Sequence, residues 1–258
     1  MNDHLTDKLV RFQRPERNLP YLPGLDQDRI AGLFGLTPEQ YGQRLAGLEA
    51  ETRAAAAELR ERPGLAEAVA RLPFAPGQRI AVLGESTTAD RLSWLEILRH
   101  LLPDGVTVVD LSVSGCTTTQ ALTQAPALAR LRPDRVLCLL GTNDVQRPGG
   151  GQTTLVSAAE TCRNLLALRE LTSARWLWLT PTPVDEARIA AFEPFRRAGL
   201  SWADKDVDAI ADFLLSCPDP VVDTRPAATG RHLDDGVHLT LDGQREIAAA
   251  VVRALAAT

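Results

Sequence analysis

Ser86 is the residue whose surroundings first suggest chemistry. It follows the apolar run Ile80 to Leu83 and the pair Gly84-Glu85, and it precedes Asp90 to Leu98, which has helical spacing. A hydroxyl at the carboxyl end of a buried strand, just ahead of a helix, sits where open α/β sheets place their ligands. Alone, a serine there caps the next helix more often than it attacks a substrate. A hydrolytic serine also needs a base, a group that orients the base, and donors aimed at the developing oxyanion. His238 offers the base and Asp235 the orienter, since a spacing of three lets one turn bring a carboxylate to an imidazole. The Gly115 N–H and the Asn143 side chain offer two donors. Of the four histidines, His4 falls in the amino-terminal tail and His100 in a helix, and between His232 and His238 only the latter has an aspartate three residues before it.

Each of these residues also has a plainer reading. Glycine after a strand is usually a turn, and Gly141-Thr142-Asn143-Asp144 has turn composition. Asp235 and His238 could be a cap and a surface residue ahead of the last helix. A Cys116 thiolate is a second conceivable nucleophile, with no further base assigned to it.

The elements that must position these residues alternate after Gly77. Strands are expected at Ile80 to Leu83, Val106 to Leu111, Arg135 to Leu140, Trp176 to Leu179 and Val221 to Asp223. Helices are expected at Gln120 to Leu131, Leu155 to Leu171, Trp202 to Leu215 and Gln244 to Ala256. Such alternation implies a parallel sheet covered on both faces, with right-handed crossovers. Ser86, Ser114 to Thr118, Gly141 to Asp144 and Asp235 to Thr240 then all fall on one rim. Residues 1 to about 24, with Pro15, Pro20 and Pro23, read as an arm or poorly ordered tail. Thr37-Pro38-Glu39-Gln40 is a capping box that opens a long helix, ended by Pro63-Gly64, and a shorter helix follows from Leu65 to Leu72. Residues 1–76 are therefore expected to be an amino-terminal arm and helical extension, and residues 77–258 the α/β domain.

A formal net charge of −5, with 45% hydrophobic and 24% charged residues, gives no footprint for nucleic acid or for an anionic membrane. The four cysteines show neither a C-x-x-C pair nor metal-ligand spacing. The first residues lack the apolar stretch of a signal peptide, and no segment is apolar for long enough to span a bilayer. The expected location is cytoplasmic. Oligomeric state is not legible.

The whole set, in this order, resembles the SGNH hydrolases, also called the GDSL esterase/lipase family. Gly84-Glu85-Ser86 is similar to their first block, Ser114-Gly115-Cys116-Thr117-Thr118 to the second, Gly141-Thr142-Asn143-Asp144 to the third, and Asp235-Gly236-Val237-His238 to the last. Thr-Pro-Val-Asp-Glu at 182–186 is also similar to many bacterial members. The resemblance spans residues 79 to 256. It implies a three-layer, flavodoxin-like α/β fold, a Ser86–Asp235–His238 triad, and an oxyanion hole from Ser86 N–H, Gly115 N–H and Asn143. It also implies hydrolysis of an acyl ester, through an acyl-enzyme on Ser86, without metal or organic cofactor. Asp144 in the third block is a candidate substrate contact. Two departures stand out: Glu85 replaces the usual aspartate, and Asp110 and Ser112 replace a common asparagine and glycine.

Rival readings are weaker. An α/β-hydrolase would carry G-x-S-x-G, and a dinucleotide-binding domain G-x-G-x-x-G; neither is present. An acyltransferase would use the same triad with an alcohol or amine as acceptor. A non-catalytic binding module, drifted from hydrolysis, would account for Glu85. The long connection Pro181 to Ser201 leaves the same rim and carries Phe192 and Phe195, which are expected to wall an acyl pocket for short to medium chains.

Overall fold

The computed structural model describes residues 3–19, 22 and 24–258. Among the described residues, five helices precede the sheet: α1 (Asp3–Phe12), α2 (Pro15–Asn18), α3 (Gln27–Leu33), α4 (Pro38–Arg60) and α5 (Leu65–Ala70). The Thr37 hydroxyl accepts from Gln40 N while the Gln40 side chain accepts from Thr37 N, so the capping box starts α4 where its residues require. Among its described residues, the region expected to be an arm or poorly ordered tail is instead largely helical. Leu5, Leu9 and Phe12 of α1 recur at helical spacing, and docking that apolar stripe stabilises a helix too short to persist alone. Pro20 and Pro23 lie outside the described residues.

The strands are β1 (Arg79–Gly84), β2 (Thr107–Asp110), β3 (Arg135–Leu139), β4 (Arg175–Leu179) and β5 (Val221–Val222). All pair in parallel, in the order β2-β1-β3-β4-β5. Because β2 lies on one side of β1 and β3 on the other, the strand order reverses beside β1. The crevice beyond the carboxyl ends of β1 and β3 is therefore the place where such a sheet opens to a ligand. Along β1 the side chains alternate: Ile80 and Val82 enter one apolar cluster, Ala81 and Leu83 the other.

Helices follow the strands as crossovers. They are α6 (Ser86–Ala89), α7 (Trp94–Arg99), α8 (Thr118–Ala121), α9 (Ala125–Leu131), α10 (Ala158–Glu170), α11 (Glu186–Ala191), α12 (Glu193–Ala198), α13 (Asp204–Leu215), α14 (Arg225–Ala228) and α15 (Leu241–Ala256). On one face, α7 and α15 share a core with α4 and α5, where Leu59, Leu65, Trp94 and Leu98 are fully buried. On the other, α10 and α13 cover Trp176 and Trp178. Each fully buried leucine contributes about 1.5–3 kcal/mol relative to exposure. The helices α4 and α5 thus form part of an outer layer of the sheet rather than an appendage. A third, smaller cluster joins Val10 of α1 to Ile30, Phe34 and Tyr41.

Three more expected elements differ. The helix expected at Gln120 to Leu131 is divided into α8 and α9 by a 3-10 turn at Leu122–Gln124. The segment from Asp90 to Leu98 is not one helix, because the Asp90 carboxylate accepts from Leu92 N and from Arg11, and Ser93 caps a fresh start at α7. The connection from Pro181 to Ser201 is not an open loop. Asp185 caps α11 and Glu193-Pro194 opens α12.

Candidate active site

Ser86 sits at the first position of α6, directly after β1. The turn is tight enough that a Cβ on Gly84 would stand 2.5 Å from the Thr88 side chain, so only glycine fits there. Ser86 is 7% exposed and opens on a cavity of about 450 Å³, shared with Gly115, Asn143 and His238. Its neighbour Glu85 turns the opposite way, into the protein.

His238 is placed by a carboxylate with four donors. Asp235 Oδ1 accepts from Val237 N at 3.1 Å and from His238 N at 2.9 Å. Asp235 Oδ2 accepts from His238 Nδ1 at 2.9 Å and from Lys8 Nζ at 2.9 Å. Gly236 makes the turn possible, with a φ of 71° and the Asp185 carbonyl too close for any side chain. Burial alone would raise the Asp235 carboxyl, but the hydrogen bonds and charge of His238, with Lys8 beside them, hold it well below the usual carboxylate range. The imidazole packs 4.4 Å from the Phe12 ring of α1. The Ser86 hydroxyl and His238 face one cavity, with no hydrogen bond joining them among the described residues; such bonds commonly tighten only when substrate binds. His232 is elsewhere: it is 5% exposed and its Nε2 is bonded to the Pro183 carbonyl at 2.8 Å.

Gly115 and Asn143, the expected donors, line the same cavity as the serine. Gly115 adopts a φ of 80°, and among the described residues neither its N–H nor that of Ser86 donates a hydrogen bond within the chain. Asn143 Nδ2 donates to Glu85 Oε2 at 2.9 Å and to the Cys116 carbonyl at 3.1 Å. Glu85 also accepts from Thr142 N at 3.3 Å and Asn143 N at 3.2 Å. Its longer side chain therefore spans from the serine turn to the asparagine loop and fixes both. Complete burial raises the Glu85 carboxyl to about 7, against the lowering effect of these donors. Burial, with Glu85 and Asp144 nearby, pushes the Cys116 thiol up to about 12, which argues against a thiolate nucleophile.

Asp144, expected to contact substrate, is turned inward. It is fully buried and accepts from Thr118 N, from the Thr118 hydroxyl and from Thr161 Oγ1. It braces the second rim loop instead. Phe192 and Phe195, expected on the cavity wall, do line it, packed edge to face at 5.0 Å with Phe195 against Trp202.

Residues 82–246 match the model of the GDSL-like Lipase/Acylhydrolase family. The chain belongs to this family. Its activity is accordingly of the esterase or lipase type, hydrolysis of an acyl ester. A lipase/acylhydrolase from Enterococcus faecalis is similar in structure, with 19% identity, a TM-score of 0.55, and coverage of 70% of this chain and 96% of that one. A GDSL-like lipase from Bacteroides thetaiotaomicron shows 20% identity and a TM-score of 0.54, over 74% and 95% of the two chains. A carbohydrate acetylesterase family member from Sinorhizobium meliloti shows 17% identity and a TM-score of 0.53, over 70% and 100%. At such identities the likeness is one of fold. No curated protein matches the chain. No helix among the described residues is long and apolar enough to cross a membrane.

Helix α1 precedes the matched segment of this GDSL-like acylhydrolase, yet it reaches the site. Leu5, Lys8, Leu9 and Phe12 line the same cavity as Ser86. Three arginines spaced by three residues clamp this region to the rim. Arg11 forms a two-pronged pair with Asp90 at 2.8 and 2.6 Å, and Arg14 donates to the Ala89 carbonyl and to Glu96, both at 2.7 Å. Arg17 of α2 lies 2.5 Å from Asp110 Oδ2 and donates to Ser112 Oγ at 3.1 Å. The departures at Asp110 and Ser112 thus receive a partner from the extension. Sequence reading missed these residues, although Leu5, Leu9 and Phe12 carried the helical spacing that could have shown an apolar face.

Proposed function

We propose that this acylhydrolase cleaves carboxylic esters of short to medium acyl chains through a covalent acyl-enzyme on Ser86. His238 takes the Ser86 proton as the oxygen attacks the ester carbonyl, and Asp235 keeps Nδ1 protonated so that Nε2 is the base. The tetrahedral oxyanion meets the Ser86 and Gly115 N–H groups and one Asn143 amide hydrogen, which it draws from the Cys116 carbonyl. Collapse expels the alcohol, which takes a proton from His238. Water activated by the same imidazole then releases the carboxylic acid and restores the Ser86 hydroxyl. The acyl chain lies against Phe12, Phe192, Phe195 and Leu200, in a cavity of about 450 Å³ that suits a small apolar group.

The observation that carries this reading is the shared cavity of Ser86 and His238, with the histidine held by Asp235. The test is turnover of p-nitrophenyl esters of graded chain length. Activity should peak at short to medium chains and vanish in Ser86→Ala and His238→Ala while surviving in His232→Ala. Loss in His232→Ala with retention in His238→Ala would reverse the assignment of the base.

A further inference from the structure

Asp235 is a buried carboxylate that carries two partners on a single oxygen. Its side chain is fully buried, and Oδ2 accepts from both His238 Nδ1 and Lys8 Nζ at 2.9 Å. Lys8 comes from α1, outside the matched residues, and its ammonium also stands 4.8 Å over the Phe192 ring. Phe12, four residues on and so on the same helix face, packs on the imidazole. One helix therefore touches the carboxylate and the base together. The docking is built rather than incidental, for beyond the arginine clamp the Ser114 hydroxyl donates to the Phe12 carbonyl at 2.5 Å and Arg91 Nε to the Val10 carbonyl at 2.9 Å.

We propose that Lys8 is a positioning residue of the active site, which acts through Asp235 to keep His238 in its proton-accepting form and so ties turnover to the docking of α1. This inference rests on the reading of Ser86, Asp235 and His238 given above. The physical basis is direct. A cation on the oxygen that receives Nδ1–H draws on the negative charge that would otherwise stabilise an imidazolium, and it repels the imidazolium itself. The other cations around the pair have partners of their own. On α1, Asp7 pairs with Arg44 and Arg11 with Asp90. From α11, Arg188 pairs with Asp185 and donates to the His232 and Leu233 carbonyls. Asp234 lies beside Asp235 on the same turn, and Glu85 lies behind Ser86, bonded to the Asn143 loop. Among these, Lys8 is the cation bonded to the carboxylate that orients the base.

The test uses the full chain and reads His238 directly. Imidazole resonances are followed by NMR from pH 5 to 9, with the His238 signal identified by its loss in His238→Gln, and rates with p-nitrophenyl butyrate are measured across the same range. In Lys8→Met the midpoint of the His238 titration, and with it the acid limb of kcat/KM, should move to higher pH by roughly one unit. Lys8→Arg, which keeps the charge, should follow the wild type. Superimposable wild-type and Lys8→Met titrations, or Lys8→Arg behaving like Lys8→Met, would overturn the proposal. Should Lys8→Met not fold, Lys8→Gln is read in the same way. If neither neutral variant folds while Lys8→Arg does, the charge serves the fold alone and the proposal fails. Because the titration needs no turnover, it stands apart from the hydrolase reading, whose failure would appear as a wild-type chain inert towards every ester.

Discussion

The rim loops and the amino-terminal helix both contribute to one cavity, but they hold their residues by different means. The loops after β1, β2 and β3 leave strands of one parallel sheet and are tied to one another by the buried carboxylates of Glu85 and Asp144, so sheet and loops together bring Ser86, Gly115 and Asn143 to one cavity. Helix α1 has no strand beneath it and is held by side chains, chiefly Arg11, Arg14 and Arg91. A site that must hold reacting atoms to within a fraction of an ångström belongs on the rigid elements. A covering that selects and protects can be clamped on. The two regions should therefore respond to mutation on different scales.

The largest effects should come from the rim. Ser86→Ala should lower kcat by about 10⁴-fold or more, and His238→Ala comparably, because members of such a unit fail together. Residual turnover within tenfold of wild type in either variant would remove the contrast between the regions. Asn143→Ala should lower kcat on the order of 100- to 1000-fold with little change in KM, since its amide meets charge that the ground-state ester lacks. A change in KM alone would make Asn143 a binding residue.

Glu85 allows a finer test, because rim geometry here depends on one buried acid. Ionised, it accepts from Thr142, Asn143 and the Asn143 amide; protonated, it loses part of that hold. With the folded carboxyl at about 7, the fall of kcat as pH drops through 7 should be steeper than protonation of one base gives, and Glu85→Gln should leave only the single-proton limb of the base and run about tenfold slower. Stability should move the other way. A carboxyl raised above its ordinary value of 4.5 favours folding in its protonated form, and that contribution is lost as pH rises from about 4.5 through 7. Denaturant unfolding should therefore show Glu85→Gln gaining on the wild type between pH 5 and 8. A constant difference would place the titration elsewhere.

The smallest effects should come from the covering. Phe12→Ala and Phe192→Ala should each change the ratio of kcat/KM between butyrate and octanoate esters by roughly fivefold, with little loss on acetate. Unchanged ratios would mean that the acyl chain lies along another wall.

Much of the rim was legible because its signals are local. A strand, a glycine and a hydroxyl mark Ser86, and the three-residue spacing from Asp235 to His238 marks the hydrogen-bonded pair proposed to carry the base. The capping box at Thr37 and Gln40 was local too, and it starts α4 as expected. What escaped was long-range or directional. Lys8 and Asp235 are 227 residues apart, and no pattern within either segment joins them. Asp144 belongs to the same short block as Asn143, yet the side chain of one faces Thr118 and Thr161 while the other reaches the cavity. Composition reveals a turn, not the face to which each of its side chains points.

The measurement that bears most directly on the nucleophile is mass mapping of the adduct formed with a fluorophosphonate. The wild-type chain should gain one phosphonyl group, located on the peptide containing Ser86, and Ser86→Ala should gain none. An adduct on any other residue, Cys116 included, or labelling that persists in Ser86→Ala, would contradict the assignment.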